Sequence, residues 1–173
     1  MAAELQTDPL VGAEGIMTTD THPKALSASV GDATITWVAK GSGMIEPNMA
    51  TMLAYIFTDA AIDARTLDRM LRTAVARSFN MLSVDTDTST SDTVAIVSSR
   101  RVPCDLQAFR EALLRVCGEL TADVVRNGEG VHHVIRVAVS GAPTRALALG
   151  VGEVIVGSPL FQCAICGNDP NVG

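Results

Sequence analysis

The sequence predicts a mixed α/β fold in which sheets and helices form layers. Three observations carry the expectation. Two long amphipathic helical patterns run from Asp63 to about Phe79 and from Asp105 to about Arg126. Short β-rich runs precede and follow each of them. The chain has 173 residues, 47% of them hydrophobic, enough for one sizeable core and not enough polarity for disorder. Strand pairs separated by long helices suggest layered architecture.

Thr34 to Ala39 reads as a strand with Ile35, Trp37 and Ala39 on one face. A glycine loop interrupts it. Thr51 to Thr58 reads as the next strand, buried on both faces because its apolar run hardly alternates. Asp63 is a candidate N-cap for a helix whose apolar face is Leu67, Leu71 and Val75, widened by Met70 and Ala74. Asp85 to Asp92 is polar and turn-like, and Thr93 to Ser98 is a short strand. Asp105 caps the second helix, whose stripe is Phe109, Leu113, Val116, Leu120 and Val124; Asn127-Gly128 stops it. Val131 to Ser140 alternates as a strand, Pro143 starts a shorter helix, and Gln162 to Cys166 is expected as a last strand. No repeat, low-complexity tract or internal linker divides the chain.

Composition narrows the function classes. The net charge is −6 and Arg100-Arg101 is the one adjacent basic pair noted, so nucleic-acid binding has little electrostatic support. No apolar run reaches the length of a membrane span, and residues 1–12 lack a basic signal-peptide region. The four cysteines suggest no secreted disulfide framework, and a cytoplasmic location is expected.

The chemistry concentrates at Lys40-Gly41-Ser42-Gly43-Met44-Ile45-Glu46-Pro47-Asn48-Met49-Ala50-Thr51. A glycine-rich, proline-punctuated loop runs into a small residue, Ala50, and then a hydroxyl, Thr51. Such a loop can strain the Ala50–Thr51 peptide bond, and the Thr51 hydroxyl can attack the carbonyl on its own N-terminal side. Cleavage there frees the Thr51 α-amine, a base of near-neutral pKa beside the hydroxyl it must activate. The alternative is a β-branched residue in an ordinary strand.

The loop resembles the cleavage-site segment of the glutamate N-acetyltransferase family, also called ornithine acetyltransferases, self-cleaving enzymes of arginine biosynthesis. The resemblance extends through Gly15-Ile16-Met17-Thr18-Thr19-Asp20-Thr21, Phe57-Thr58-Asp59-Ala60, Ser78-Phe79-Asn80, the Val84–Thr93 run, Gly128-Glu129-Gly130 and Gly167-Asn168-Asp169-Pro170-Asn171. It implies an αββα-like sandwich. It also implies acetyl transfer from N-acetylornithine to glutamate through a Thr51 acyl-enzyme, with no cofactor and with acetyl-CoA as a further acetyl donor in bifunctional members. The partners implied are these small molecules, and α and β chains cut from one precursor and assembled as a hetero-tetramer. Residues 1–50 would end the α chain and residues 51–173 would begin the β chain, within one partial catalytic domain. Family enzymes are longer, with a Thr-Gly oxyanion hole upstream and substrate-site residues downstream, so the sequence reads as a fragment or truncated product.

By resemblance Lys40, which stands 11 residues before Thr51, pairs with a substrate carboxylate. Without it, a solvated strand-end lysine is the better reading. Thr18 or Thr19 supplies a substrate-contacting hydroxyl, Thr18 being preferred; a local turn is the alternative. Glu129, between two glycines, meets a substrate amino group or is a surface loop acid.

The remaining candidates carry less. Asp85, Asp87 and Asp92 fail as a calcium loop because Thr90 and Ile96 occupy the glycine and final-acid positions. Cys163-x-x-Cys166 lacks the second pair of a zinc site, so core thiols are expected. His132 and His133, adjacent in an expected strand, would face opposite sides. The sequence departs from the family at Thr86, at Ser91, at Val131-His132-His133 and at Val172-Gly173, which bears on substrate preference more than on Thr51 or Lys40. Two other functions fit the same residues. In a related amidohydrolase or aminopeptidase, water takes the acyl group; an inactive fold remnant would do no chemistry.

Overall fold

A computed structural model describes residues 8–41, 52–83, 91–128 and 130–170. Four strands form one sheet in the order β1-β2-β3-β4. Strand β1 (Lys24–Val30) and β2 (Ala33–Lys40) form an antiparallel hairpin, Val30 opposite Ala33. Its two-residue turn uses Gly31 at φ 60, a conformation that favours glycine. Strand β3 (Leu53–Ala60) runs antiparallel to β2, with Lys40 opposite Leu53. Strand β4 (Thr93–Val102) is parallel to β3, which requires a crossover, and helix α2 (Ala64–Val75) supplies it.

Helix α3 (Leu106–Arg126) covers the sheet. Its predicted stripe of Phe109, Leu113, Val116, Leu120 and Val124 is buried throughout. The first four of these join Ile35, Trp37, Ala39, Ala54 and Ile56 in the main core. The caps read from sequence are present: Asp63 accepts from Thr66 N–H at 3.0 Å and Asp105 from Ala108 N–H at 2.7 Å. The expected mixed α/β class is therefore observed.

Several elements differ from expectation. Helix α1 (Pro9–Ile16), capped by Asp8, and strand β1 precede the first expected element. Strand β3 alternates rather than being buried on both faces: Ala54, Ile56, Thr58 and Ala60 are buried, while Phe57 is exposed on the opposite face. Helix α2 ends at Val75, and Phe79–Met81 form a separate short turn of 3-10 helix. Residues 131–140 keep their alternation, with Val131, Ile135, Val137 and Val139 half-buried, but they pair with no strand among the described residues. Alternation marks a two-sided segment; a strand also needs a neighbour's hydrogen bonds.

The Pro143 region does start a helix, α4 (Arg145–Val156), with Thr144 as its cap. Gln162 to Cys166 is not a strand. It belongs to helix α5 (Pro159–Cys166), where Ser158 accepts from Phe161 N–H and Pro159 occupies the first turn. These start signals override the short apolar run. No single described helix is long and apolar enough to cross a membrane. α4 and α5 suffice only as a pair, bent by 57° at the break.

Candidate functional site

The site is built at the end of β2 that leads into the glycine-rich loop. Lys40, the last residue of β2, is almost wholly buried, 6% exposed. Its ammonium donates to Thr18 Oγ1 at 3.3 Å. The two residues lie 22 apart in sequence, and the fold joins them because α1 packs on β1 and β2 and delivers its C-terminal side to the strand end. The structure thus places Thr18, one of the two candidate threonines, against Lys40.

Beneath this pair is a carboxylate that the sequence reading did not single out. Asp20 Oδ1 lies 2.6 Å from Lys24 Nζ, and both side chains are fully buried. The same oxygen accepts the Gly41 amide at 2.7 Å, while Oδ2 accepts the Thr18 amide at 3.2 Å. Burial alone would raise the Asp20 carboxyl above its ordinary pKa. The hydrogen bonds from Lys24, Gly41 and Thr18, with the Lys24 charge, more than offset that and hold it below. Asp20 therefore ties Thr18 to the start of the loop at Gly41, whose φ of 154 favours glycine. The available signal was the i, i+4 charge pair inside a motif otherwise read for its threonines.

The far end of the loop is held in a similar way. The amide of Met52, the residue after Thr51, donates to Asp92 Oδ1 at 2.6 Å. The Met52 carbonyl accepts from Thr93 N–H at 3.0 Å. Leu53 then pairs with Lys40 across the β2–β3 ladder. The strand that follows Thr51 consequently starts beside the Lys40–Thr18 contact. Ala50, Thr51 and Glu129 themselves lie outside the described residues, as do Asp85 and Asp87.

The remaining candidates separate from this site. Among the described residues no cluster of His, Cys, Asp and Glu could hold a metal ion. His132 and His133 are both exposed, and neither is in a strand. Cys163 and Cys166 are exposed on α5, not core thiols, because α5 is a surface helix; the buried thiol is Cys117. A cavity of about 700 Å³ lies elsewhere, between the C-terminal part of α3, residues 130–139, α4 and α5. Leu82, Val125, Ile135 and Val156 are among its lining residues.

Comparison with known proteins agrees with the pattern of motifs. A sequence profile described as the ArgJ family matches residues 1–173. The chain is 50% identical over 159 residues to "Arginine biosynthesis bifunctional protein ArgJ 2" of Clostridium acetobutylicum, covering 91% of this chain and 41% of that protein. It is 46% identical over 162 residues to "Glutamate N-acetyltransferase Oat2" of Streptomyces clavuligerus, covering 93% of this chain and 41% of that protein. The chain thus spans about two fifths of the length of these relatives. The crystal structure of arginine biosynthesis bifunctional protein ArgJ from Bacillus halodurans superposes with a TM-score of 0.65 at 36% identity, covering 70% of this chain and 61% of that one. By sequence and by fold, this chain belongs to the ArgJ family.

Proposed function

We propose that this chain carries the nucleophile of an acetyltransferase acting in arginine biosynthesis, and that the nucleophile is Thr51, freed by self-cleavage of the Ala50–Thr51 bond. The Thr51 hydroxyl attacks the acetyl carbonyl of N-acetylornithine. The α-amine of Thr51 takes the hydroxyl proton, the amide C–N bond breaks, and ornithine leaves with that proton. The α-amine of glutamate then attacks the Thr51 ester, giving N-acetylglutamate and restoring the hydroxyl. Amide is exchanged for amide, so the cycle needs no metal or nucleotide. Acetyl-CoA enters the same scheme as an alternative donor.

What supports this reading is the place of Lys40. A nearly buried ammonium beside the Thr18 hydroxyl, at the end of the strand that leads to Thr51, suits the carboxylate common to both substrates. Glu129 is assigned to a substrate amino group. The α and β pieces would stay together as chains of one assembly.

Mass spectrometry of the purified protein, before and after incubation with N-acetylornithine, tests the proposal. The expected result is two pieces meeting between Ala50 and Thr51, and an acetyl adduct on Thr51 that glutamate removes. Thr51→Ala should abolish both cleavage and transfer, and Thr51→Ser should retain some of each. An alanine variant that still splits at this bond would sink the assignment.

A further inference from the structure

Two lysines and one buried carboxylate meet where β2 ends. Lys24 opens β1 and pairs in register with Ala39, the residue before Lys40. Residues opposite each other across a ladder share a face, and successive residues on a strand alternate. The two side chains therefore leave the sheet from opposite faces. Asp20 lies near both, since Thr18, whose amide it accepts, also carries the hydroxyl that Lys40 meets. Its Oδ1 already accepts the amide of Gly41, next to Lys40, yet the ion pair it makes is with Lys24 at 2.6 Å. Among the described residues Lys40 has no carboxylate partner; its ammonium meets the Thr18 hydroxyl.

This arrangement is not what simple charge counting would give. A buried carboxylate without a partner is strongly disfavoured, and opposite charges attract strongly where water is excluded. Were Lys24 apolar, Asp20 would be drawn to Lys40, the next buried cation at this end of the sheet. Lys40 would then be neutralised from within the protein.

We infer that Lys24 is a positioning residue of the Lys40 site: by occupying Asp20, it leaves the Lys40 ammonium and the Thr18 hydroxyl to receive the carboxylate of an acylated amino acid. The inference rests on the reading of Lys40 as the substrate cation. It assigns Asp20 a second task, since its bonds to the Thr18 and Gly41 amides hold both sides of that receptor. Lys24 acts through Asp20 and touches no substrate.

Two readouts on the purified protein test it. One is KM and kcat for N-acetylornithine; the other is the Nζ resonance of Lys40 in protein with nitrogen-15-labelled lysine. Lys24→Met should move the Lys40 resonance and raise KM roughly tenfold or more, with kcat changed much less, because an internal carboxylate now competes for the cation. The double variant Asp20→Asn with Lys24→Met removes the competitor and should return the Lys40 resonance toward wild type, while KM stays raised because the amide keeps only one of the two acceptor oxygens that hold the Thr18 and Gly41 amides. A Lys40 resonance unmoved in Lys24→Met, or displaced just as far in the double variant, overturns the inference. Should Lys24→Met fail to fold, Lys24→Gln carries the same comparison. If the wild-type protein turns over no N-acetylornithine, the proposed function fails, and the Lys40 resonance alone still decides whether Lys24 controls the Asp20 partner.

Discussion

The ammonium of Lys24 lies 2.6 Å from the Asp20 carboxylate with neither side chain exposed to solvent. Asp20 has its carboxyl held below the ordinary value of about 4, so its contribution to stability is complete above that value and is lost as pH falls through the lowered one. Removing one partner of a buried pair costs about 3–5 kcal/mol. Asp20→Asn should therefore unfold at markedly lower urea concentration than wild type at pH 7, and the gap should narrow in strongly acid solution. A gap that stays constant down to the acid limit would show that the charge on Asp20 contributes nothing.

The α3 interface makes a second prediction. Phe109 is fully buried against the sheet, and Asp105 caps the helix from an exposed position. Phe109→Ala should cost about 3–5 kcal/mol through a lost ring and a residual cavity. Asp105→Ala should cost about 1 kcal/mol through one unsatisfied amide. Urea denaturation of both variants checks the ratio. Equal losses would mean that α3 is held by its end rather than by its face.

How far the fold was legible follows from where the information lies. Helix α3 was readable because both its cap and its buried stripe are local sequence patterns. Strand β1 was overlooked: Leu26, Ala28 and Val30 do alternate with Ser27 and Ser29, but the run is short and weakly hydrophobic, and the pairing with β2 that makes it a strand is not a local pattern. The segment 131–140 shows the converse, a clear alternation with no partner strand among the described residues. At the site, Lys40 and Thr18 were named from motif position. Their contact, and the role of Asp20 beneath them, depend on bringing the chain before β1 back to the end of β2. No spacing rule reports that closure. The outer face of β3, where Phe57 is 45% exposed, misled the reading of that strand because hydrophobicity alone does not say what covers it.

Thiol chemistry gives a third prediction. Burial pushes the Cys117 thiol up to about 12, and burial with nearby Asp105 and Asp59 also raises Cys104. Cys163 and Cys166 are exposed on α5. A disulfide reagent should modify Cys163 and Cys166 rapidly in the native protein. Cys117 should stay unlabelled even at pH 9 and react only on unfolding, as peptide mapping of the labelled sites would reveal. Rapid native labelling of Cys117 would mean that α3 lifts from the sheet.

The final prediction sets stability against function at Lys40. Its ammonium is 6% exposed and meets the Thr18 hydroxyl, with no carboxylate partner among the described residues. Among the described residues one hydroxyl meets this ammonium, and a hydroxyl replaces little of the hydration that a buried cation loses. Methionine matches most of the lysine stem without the charge. Lys40→Met should therefore leave stability unchanged or raise it by about 1 kcal/mol, as judged by urea denaturation. The same change removes the proposed partner of the substrate carboxylate, and should lower kcat/KM for N-acetylornithine by roughly 2–4 kcal/mol of transition-state binding. Opposite signs in the two measurements are the signature of a charge retained for a ligand rather than for the fold. A Lys40→Met variant that is clearly destabilised yet kinetically unchanged would place Lys40 among the structural residues. The substrate carboxylate would then need another receptor.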